Sequence, residues 1–286
     1  MHEPFIDPRR SNEQFPEMKP TQLKCEHRVN PLGIDVVSPR LSWVLESFLR
    51  GQRQSAYQIL VAGCQEDLET EQHLLWDSGK VVSNRSINIV YEGVVLRSGM
   101  RCYWKVRVWD REDHPRAYSE SAVWSMGLLD PADWSAEWIG MSRSRPGGSQ
   151  PPAQEWTDQP MARALRPPHL RKTFTLSGPV REATLYVTAR GLYEMWLNGV
   201  RVGDAVLTPG WTDYNKRILY QTYDVTALLA EGKNALGGIL GEGWYTGYVG
   251  FDPKRRGAHY GTCPQLLVQL QVQYEDGTIS TIVSDA

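Results

Sequence analysis

Short segments in which apolar and polar residues alternate recur along most of the chain, and turn-forming residues separate them. Successive side chains of a strand point to opposite faces, so the alternation between residues 22 and 130 predicts about seven strands. The acidic stretch Gln65–Gln72 predicts one short helical turn. Alternation begins again at Leu170 and continues to the end of the sequence. The pattern is typical of an all-β protein with two groups of strands.

Two dipeptides of the second group are strong hairpin signals. Asn198-Gly199 and Asp276-Gly277 each separate two alternating segments, and both positions of such turns favour residues that tolerate a positive φ. Val225–Gly232 resembles a helical turn closed by glycine. The second group therefore predicts a β-sandwich of the jelly-roll type.

In the first group, the stretch Leu96–Tyr103 predicts a tyrosine corner. A leucine is followed by a tight turn through Gly99 and then by a tyrosine that opens a strand. In immunoglobulin-like sandwiches the hydroxyl of such a tyrosine bonds to upstream backbone. With Trp43 on an early strand, the first group predicts a fibronectin type III-like sandwich, although Tyr103 could also be an ordinary strand aromatic.

Charge and hydropathy limit the classes of partner. The chain has 31 basic and 33 acidic residues and a formal net charge of -2, which argues against a basic nucleic-acid surface or a polybasic membrane patch. No apolar stretch approaches the roughly 20 residues of a membrane span, and the first residues lack an apolar signal core. We therefore expect a cytoplasmic protein with no nucleic-acid or membrane partner.

Tryptophan and tyrosine are unusually frequent, with eleven Trp and 13 Tyr against five Phe. Their apolar bodies and polar tips suit β-sandwiches and wet surfaces on which rings stack. The four cysteines lie far apart without a C-x-x-C pair, so neither a zinc site nor a redox pair is expected.

A set of motifs, in this order, resembles the N-terminal region of bacterial α-L-rhamnosidases of glycoside hydrolase family 78. In the first group the motifs are Asn30-Pro-Leu-Gly-Ile-Asp35, Pro39-Arg-Leu-Ser-Trp43, Leu75-Trp-Asp-Ser-Gly79 and Tyr103-Trp-Lys-Val-Arg-Val-Trp-Asp110. Later motifs are Asp133-Trp-Ser-Ala-Glu-Trp-Ile-Gly140, Tyr193-Glu-Met-Trp-Leu-Asn-Gly199, Pro209-Gly-Trp-Thr-Asp-Tyr214 and Gly241-Glu-Gly-Trp-Tyr245. The resemblance extends from about residue 22 to the end.

The resemblance and the pattern together give a domain plan. Residues 1–21 form an irregular lead-in, and residues 22–130 form the fibronectin III-like or immunoglobulin-like domain. Residues 131–168, which include a run rich in proline, glycine and serine, form a linker. Residues 169–286 form a galactose-binding-like jelly roll, similar to the carbohydrate-binding-like N-terminal domain of rhamnosidases. This domain is expected to be truncated at its C-terminal end.

The resemblance implies an enzyme that hydrolyses terminal α-L-rhamnosides, with its catalytic carboxylates on a later (α/α)₆ barrel. We therefore expect this chain to be inactive alone, to position substrate and to brace the absent catalytic domain. Its partners would be that domain and L-rhamnose-containing glycosides or polysaccharides. One alternative is a free-standing carbohydrate-binding module without hydrolytic activity. Another is a non-functional truncated product with an exposed sheet edge that promotes aggregation.

Glycoside hydrolysis needs two carboxyl groups across a sugar. Candidates in the second domain are Glu194, Asp204, Asp213, Asp224, Glu242 and Asp252. Their spacing places no two of them on one face, and turn formation or surface solvation explains them as well. Asp224, for example, is predicted to cap the short helical turn. No catalytic residue is assigned to this chain.

Aromatic and Asx-rich loops of the second domain contain the side chains that a carbohydrate site needs. Sugar rings stack on Trp and Tyr, while planar polar groups bind the hydroxyls. The candidate carbohydrate-binding residues are Trp211, Asp213, Tyr214, Asn215, Trp244 and Tyr245. The alternative is that Trp211, Trp244 and Tyr245 pack under loops or against the absent barrel.

Some rhamnose-binding relatives hold a calcium ion that the sugar also contacts. If that property carries over, the resemblance implies Asp213 and Asn215 as calcium ligands, because Ca²⁺ prefers hard oxygen ligands. The stretch has no EF-hand spacing, so the prediction depends on the resemblance alone. No other cofactor is expected.

Overall fold

The computed structural model describes residues 18–140, 167–247, 249 and 258–285. The chain divides into two compact units between Asp130 and Pro131. Both are built from antiparallel sheets, so the predicted all-β class is confirmed. No helix among the described residues is long and apolar enough to span a bilayer.

The first unit contains two sheets. Its strands are β1 (Lys19–Cys25), β2 (Arg40–Glu46), β3 (Ala56–Ala62), β4 (Leu74–Asp77), β5 (Val81–Val82), β6 (Ile89–Val90), β7 (Arg101–Trp109) and β8 (Ala122–Ser125). One sheet has the order β1-β2-β6 and the other the order β4-β3-β7-β8, with β5 also paired to β3. Helix α1 (Gln65–Thr70) forms within the stretch predicted to be helical.

Tryptophan side chains build the core of the first unit. Trp43, Trp104 and Trp124 are each at most 2% exposed. Strand β7 alternates buried and half-buried residues, which places Trp104 in the core between the sheets. Trp43 donates its indole N–H to Oε1 of Gln54 at 3.0 Å, so burial leaves this group paired.

The predicted tyrosine corner at Tyr103 is wrong. Tyr103 lies on the face of β7 opposite Trp104 and packs beside Leu68 of α1, and in the described part of the chain its hydroxyl makes no hydrogen bond. A hydroxyl-to-backbone bond is instead made by the buried Tyr91, which donates to the carbonyl of Val94 at 3.1 Å. The turn at Gly99 is present, with a φ of 71°.

The second unit is also a two-sheet structure. Its strands are β9 (His169–Thr175), β10 (Val180–Arg190), β11 (Leu192–Leu197), β12 (Val200–Arg201), β13 (Gln221–Asp224), β14 (Lys233–Gly241), β15 (Gln265–Tyr274) and β16 (Ile279–Val283). One sheet has the order β13-β10-β15-β16 and the other the order β12-β11-β14-β9. A short helix, α2 (Gly243–Thr246), follows β14.

Mainly aliphatic residues from both sheets fill the core of the second unit. Leu185 on β10 lies opposite Leu270 on β15, and both are fully buried. Strand β14 alternates buried and half-exposed residues along its length, as a strand with one face on a core does. The Asn198-Gly199 hairpin between β11 and β12 is confirmed, since both residues have a positive φ (51° and 83°).

The structure differs from the predicted linker over its first ten residues. Ile139 forms an antiparallel bridge with Leu266 of β15, and Glu137 donates its backbone N–H to the carbonyl of Ser284 at 2.7 Å. Residues 131–140 therefore belong to the second unit, because β15 leaves room for another extended segment where β16 ends. The proline- and glycine-rich run that suggested a linker lies outside the described residues.

Candidate functional site

The loop between β12 and β13 carries four of the predicted site residues and is fixed to β11. Tyr193 donates its backbone N–H to the carbonyl of Thr208 at 3.0 Å, and the Thr208 hydroxyl donates to the carbonyl of Tyr193 at 2.8 Å. The Tyr193 hydroxyl donates to Oε1 of Gln221 at 2.7 Å. Burial raises the pKa of Tyr193, so the hydroxyl stays protonated and keeps donating. The base of the loop is thus held by buried hydrogen bonds.

Trp244 and Tyr245 are presented by helix α2, whose start requires glycine. Gly243 has a φ of 52°, and a Cβ there would lie 2.7 Å from Cγ of Leu192. Only glycine combines this backbone conformation with so close an approach to β11. The resulting sharp turn brings α2 beside the loop between β12 and β13.

Trp211 and Trp244 stack on each other. Their ring centroids are 5.9 Å apart and their planes differ by 7°. Trp211 is nevertheless 54% exposed, whereas Trp244 is half-buried. One indole therefore supports the other, and an apolar ring surface remains open to solvent. Such a surface suits the flat apolar face of a ligand ring.

Tyr214 lies in a tyrosine cluster beneath the surface rather than on it. Its ring makes edge-to-face contacts with Tyr245 at 5.4 Å and Tyr260 at 5.0 Å, and its hydroxyl donates to the carbonyl of Gly210 at 3.1 Å. Burial, with Tyr260 adding to it, raises the pKa of Tyr214. Tyr214 is only 8% exposed, so it holds the loop and does not face a ligand.

Tyr260 is a member of this cluster that sequence analysis missed. The following residue, Gly261, lies against Tyr245, where an added Cβ would be 2.4 Å from Cε1 of the ring. A Tyr-Gly pair after a glycine-rich loop was the available signal in the sequence. The pair is too common a combination to be interpreted without the fold.

Asp213 and Asn215 form a local turn. The carboxylate of Asp213 accepts the backbone N–H of Asn215 at 3.2 Å and lies 3.6 Å from the ammonium of Lys216. Among the described residues, no group of three acidic, imidazole or thiol ligands includes Asp213. Two side chains beside a cation fit calcium poorly, since the ion takes six to eight oxygen ligands. The calcium site stays a prediction.

The candidate carboxylates whose contacts the structure describes make local hydrogen bonds and ion pairs. Asp224 accepts the backbone N–H and the hydroxyl of Thr226 at 3.1 and 2.7 Å, just before the 3₁₀ turn Thr226–Leu228, whose N-cap position is Val225. Glu194 lies 3.9 Å from the guanidinium of Arg201 on the neighbouring strand. Asp252 lies outside the described residues. These contacts are those of local turns and surface charges.

The fold defines a protein of two β-sandwich domains, the second with an exposed, stacked tryptophan pair. Family models match both domains. The model of the Rha78A-like, N-terminal immunoglobulin domain matches residues 20–130. The model of the Alpha-L-rhamnosidase N-terminal domain matches residues 178–286.

Curated relatives and solved structures agree with these models. An α-L-rhamnosidase of Alteromonas sp. (strain LOR) is 39% identical over 271 residues, which cover 93% of this chain and 28% of that protein. An α-L-rhamnosidase of Formosa agariphila is 38% identical, over 90% of this chain and 26% of that protein.

The structure of α-L-rhamnosidase from Dictyoglumus thermophilum superposes with a TM-score of 0.79 at 36% identity, covering 94% of this chain and 29% of that one. Streptomyces avermitilis α-L-rhamnosidase, complexed with L-rhamnose, gives a TM-score of 0.82 at 28% identity, over 94% of this chain and 40% of that one. This chain carries the two N-terminal domains that these family models describe, and it is similar to the N-terminal region of α-L-rhamnosidases. It spans little more than a quarter of the curated relatives, 28% and 26% of their lengths.

Proposed function

We propose that this chain is the accessory, N-terminal part of an enzyme that hydrolyses terminal α-L-rhamnosides. The two domain matches and the alignment with 28% of the Alteromonas relative support this role. Hydrolysis takes place on carboxylates outside the residues described here. The chain itself positions the substrate and braces the catalytic domain.

The stacked pair of Trp211 and Trp244 is the observation that most directly supports substrate positioning. A rhamnose ring has an apolar face with a methyl group, and burying that face against an indole is favourable. The supporting ring of Trp244 and the hydrogen bonds at the loop base fix the exposed ring in place, so little rotamer entropy is lost on binding. Asp213 and Asn215, which are exposed on the same loop, supply polar groups for hydroxyls.

Bracing is supported by the apolar residues of the same loop. Val206, Leu207 and Leu219 are 75%, 59% and 42% exposed. Several exposed apolar side chains on one loop are typical of a surface that another protein domain covers. The loop between β12 and β13 thus offers a ring for sugar and aliphatic side chains for a neighbouring domain.

A free-standing carbohydrate-binding module is the second candidate function, and the exposure of Trp211 favours it. The two candidates differ in what the chain does alone. A module binds L-rhamnose without any other domain, whereas an accessory part that only braces has no affinity of its own. Neither candidate hydrolyses an aryl α-L-rhamnoside, so release of nitrophenol by the pure chain would refute both.

Calorimetric titration of the purified chain with L-rhamnose tests substrate positioning. We expect saturable binding that Trp211→Ala weakens at least about tenfold, or about 1.4 kcal/mol. Phe48→Ala is the matched control, because Phe48 is 73% exposed but lies in the first domain. Titration in calcium and in chelator tests the Asp213 and Asn215 prediction separately. A flat titration of the folded chain would refute substrate positioning and leave bracing as the remaining role.

A further inference from the structure

A cavity of about 430 Å³ opens between the two sheets of the second domain. It lies between β9 and the end of β16, and residues 138–140 of the segment bridged to β15 also line it. Met195, Leu236, Leu266 and Val268 line its interior, and Lys172 and Asp285 lie at its rim. The ammonium of Lys172 is 2.5 Å from the carboxylate of Asp285. The described residues therefore leave the sandwich incompletely filled along this side.

In the described part of the chain, no strand pairs with the outer edge of β9. The carbonyl of Pro168 accepts the N–H of Leu240, and Leu176 donates its N–H to Gly232, so the even-numbered residues of β9 face β14. In an antiparallel pair the residues in between turn their backbone groups away. His169, Arg171, Thr173 and Thr175 thus direct their N–H and C=O groups to the open side, where the described residues contribute no partner strand.

The inward-facing residues of β9 are only half covered. Leu170 and Phe174 pack against the core but remain partly exposed, and so does Ile282 on β16. An added strand beside β9 would place alternate side chains into the cavity and cover these groups. Main-chain bonds would give such a strand affinity, and the cavity would select its side chains.

The charges on β9 indicate which kind of strand could pair with it. The outward positions of β9 include Arg171 and no acidic residue, whereas Lys172 lies on the inward face and is paired with Asp285. Two copies of β9 paired edge to edge about Arg171 would set two guanidinium groups against each other, and like charges directly opposite are destabilising. A strand with acidic residues pairs favourably instead.

We propose that the outer edge of β9 binds an extended strand with acidic residues on its outward positions and large apolar residues turned into the cavity. The inference rests on the proposed function in one respect, since the bound strand would belong to the rest of the rhamnosidase. The part matched here is only 28% of the Alteromonas relative, so most of such an enzyme lies elsewhere.

The test uses the full chain and two synthetic nine-residue peptides, one alternating glutamate with valine and one alternating lysine with valine. Hydrogen exchange of β9 and titration calorimetry are the readouts. We expect the glutamate peptide to slow exchange of the Arg171 and Thr173 amides and to bind at least about tenfold more tightly than the lysine peptide. Arg171→Glu should reduce the difference in affinity between the two peptides.

Two proline variants separate edge pairing from general effects. Thr173→Pro removes an N–H that faces the open edge and leaves the bonds to β14 in place, so it should abolish peptide binding without unfolding the chain. Thr281→Pro is the matched control, because Thr281 is exposed and turns its N–H away from β15 on the other end strand. It should leave binding unchanged.

Four results would overturn the inference. They are equal binding of both peptides, binding that survives Thr173→Pro, slow exchange at Arg171 and Thr173 without peptide, and dimerisation of the chain that Thr173→Pro abolishes. Rhamnose binding is measured on the separate loop between β12 and β13. A chain that binds the peptide but not the sugar would therefore refute substrate positioning and keep this inference.

Discussion

Tryptophan serves opposite purposes in the two domains. In the first domain, Trp43, Trp104 and Trp124 are at most 2% exposed and form the core between two sheets. In the second, the core is mainly aliphatic, and Trp211 stacks on Trp244 at the surface with 54% of its area exposed. The same residue type therefore fills the core of one domain and lies exposed on the surface of the other.

The difference shows that aromatic content alone does not locate a binding site. A buried indole contributes through the area it removes from water and through packing. An exposed indole contributes little to stability but keeps a face free for a ligand. Burial, and not frequency in the sequence, decides between these roles.

The largest effect should follow from Trp104→Ala in the first domain. A fully buried tryptophan leaves a large cavity, and we expect a loss of about 3–5 kcal/mol in the free energy of unfolding. Urea unfolding measures the loss, and hydrogen exchange in β7 assigns it to the first domain. A loss below about 1 kcal/mol would contradict the role of Trp104 as a core residue.

A second large effect is expected at Asp110, whose side chain is fully buried and paired with Arg116. Burial by itself raises the pKa of this carboxyl, but the hydrogen bonds from the His114 N–H and from Arg116 outweigh it, so the pKa lies below its ordinary value. We expect Asp110→Asn to cost about 3 kcal/mol at pH 7, because it breaks a buried ion pair.

The sign of the pH dependence follows from that lowered pKa. The stability due to ionised Asp110 is present above the pKa of an unfolded aspartate, about 3.9, and is lost as the pH falls through the folded value. The difference between the wild type and Asp110→Asn should therefore shrink in unfolding experiments below about pH 4. A constant difference down to pH 2 would contradict this account.

Trp244→Ala should affect binding much more than stability. Losing the stacked partner of Trp211 should cost about 1 kcal/mol in unfolding free energy, typical of an aromatic pair. Binding of L-rhamnose should fall at least about tenfold, because the exposed ring loses its support. Calorimetry and urea unfolding of the same variant measure the two effects. A large stability loss with intact binding would reverse our assignment.

The smallest effect is expected for the exposed pair of Lys172 and Asp285, in contrast to buried Asp110. Their side chains are 34% and 56% exposed, and pairs this accessible are worth about 0.2–1 kcal/mol. Asp285→Asn should lower the unfolding free energy by less than about 1 kcal/mol, and salt should remove the difference. A larger, salt-independent loss would show that the pair closes the cavity.

Much of the fold was predictable from local pattern. Strand alternation and the Asn198-Gly199 hairpin depend on neighbouring residues, so the sequence alone reveals them. The tyrosine corner failed although the turn at Gly99 formed, because that turn is local and the contacts of Tyr103 are not. The face on which Tyr103 lies is decided by packing with α1, which is not local.

The site was predictable only as a set of residues. Trp211 and Trp244 were both candidates, but their stacking joins a loop to a helix that are distant in sequence. Tyr214 was predicted to bind sugar, yet it is buried by Tyr260, which no pattern connected to it. Which aromatic remains exposed depends on how several loops pack, and alternation carries no information about that.

The indole N–H signals of the ¹⁵N-labelled chain, followed by NMR during an L-rhamnose titration, test the central claim most directly. The account predicts that the Trp211 and Trp244 signals shift saturably and together, while the buried Trp43, Trp104 and Trp124 signals stay in place. Unshifted Trp211 and Trp244 signals at saturating sugar, in a folded chain, would contradict it.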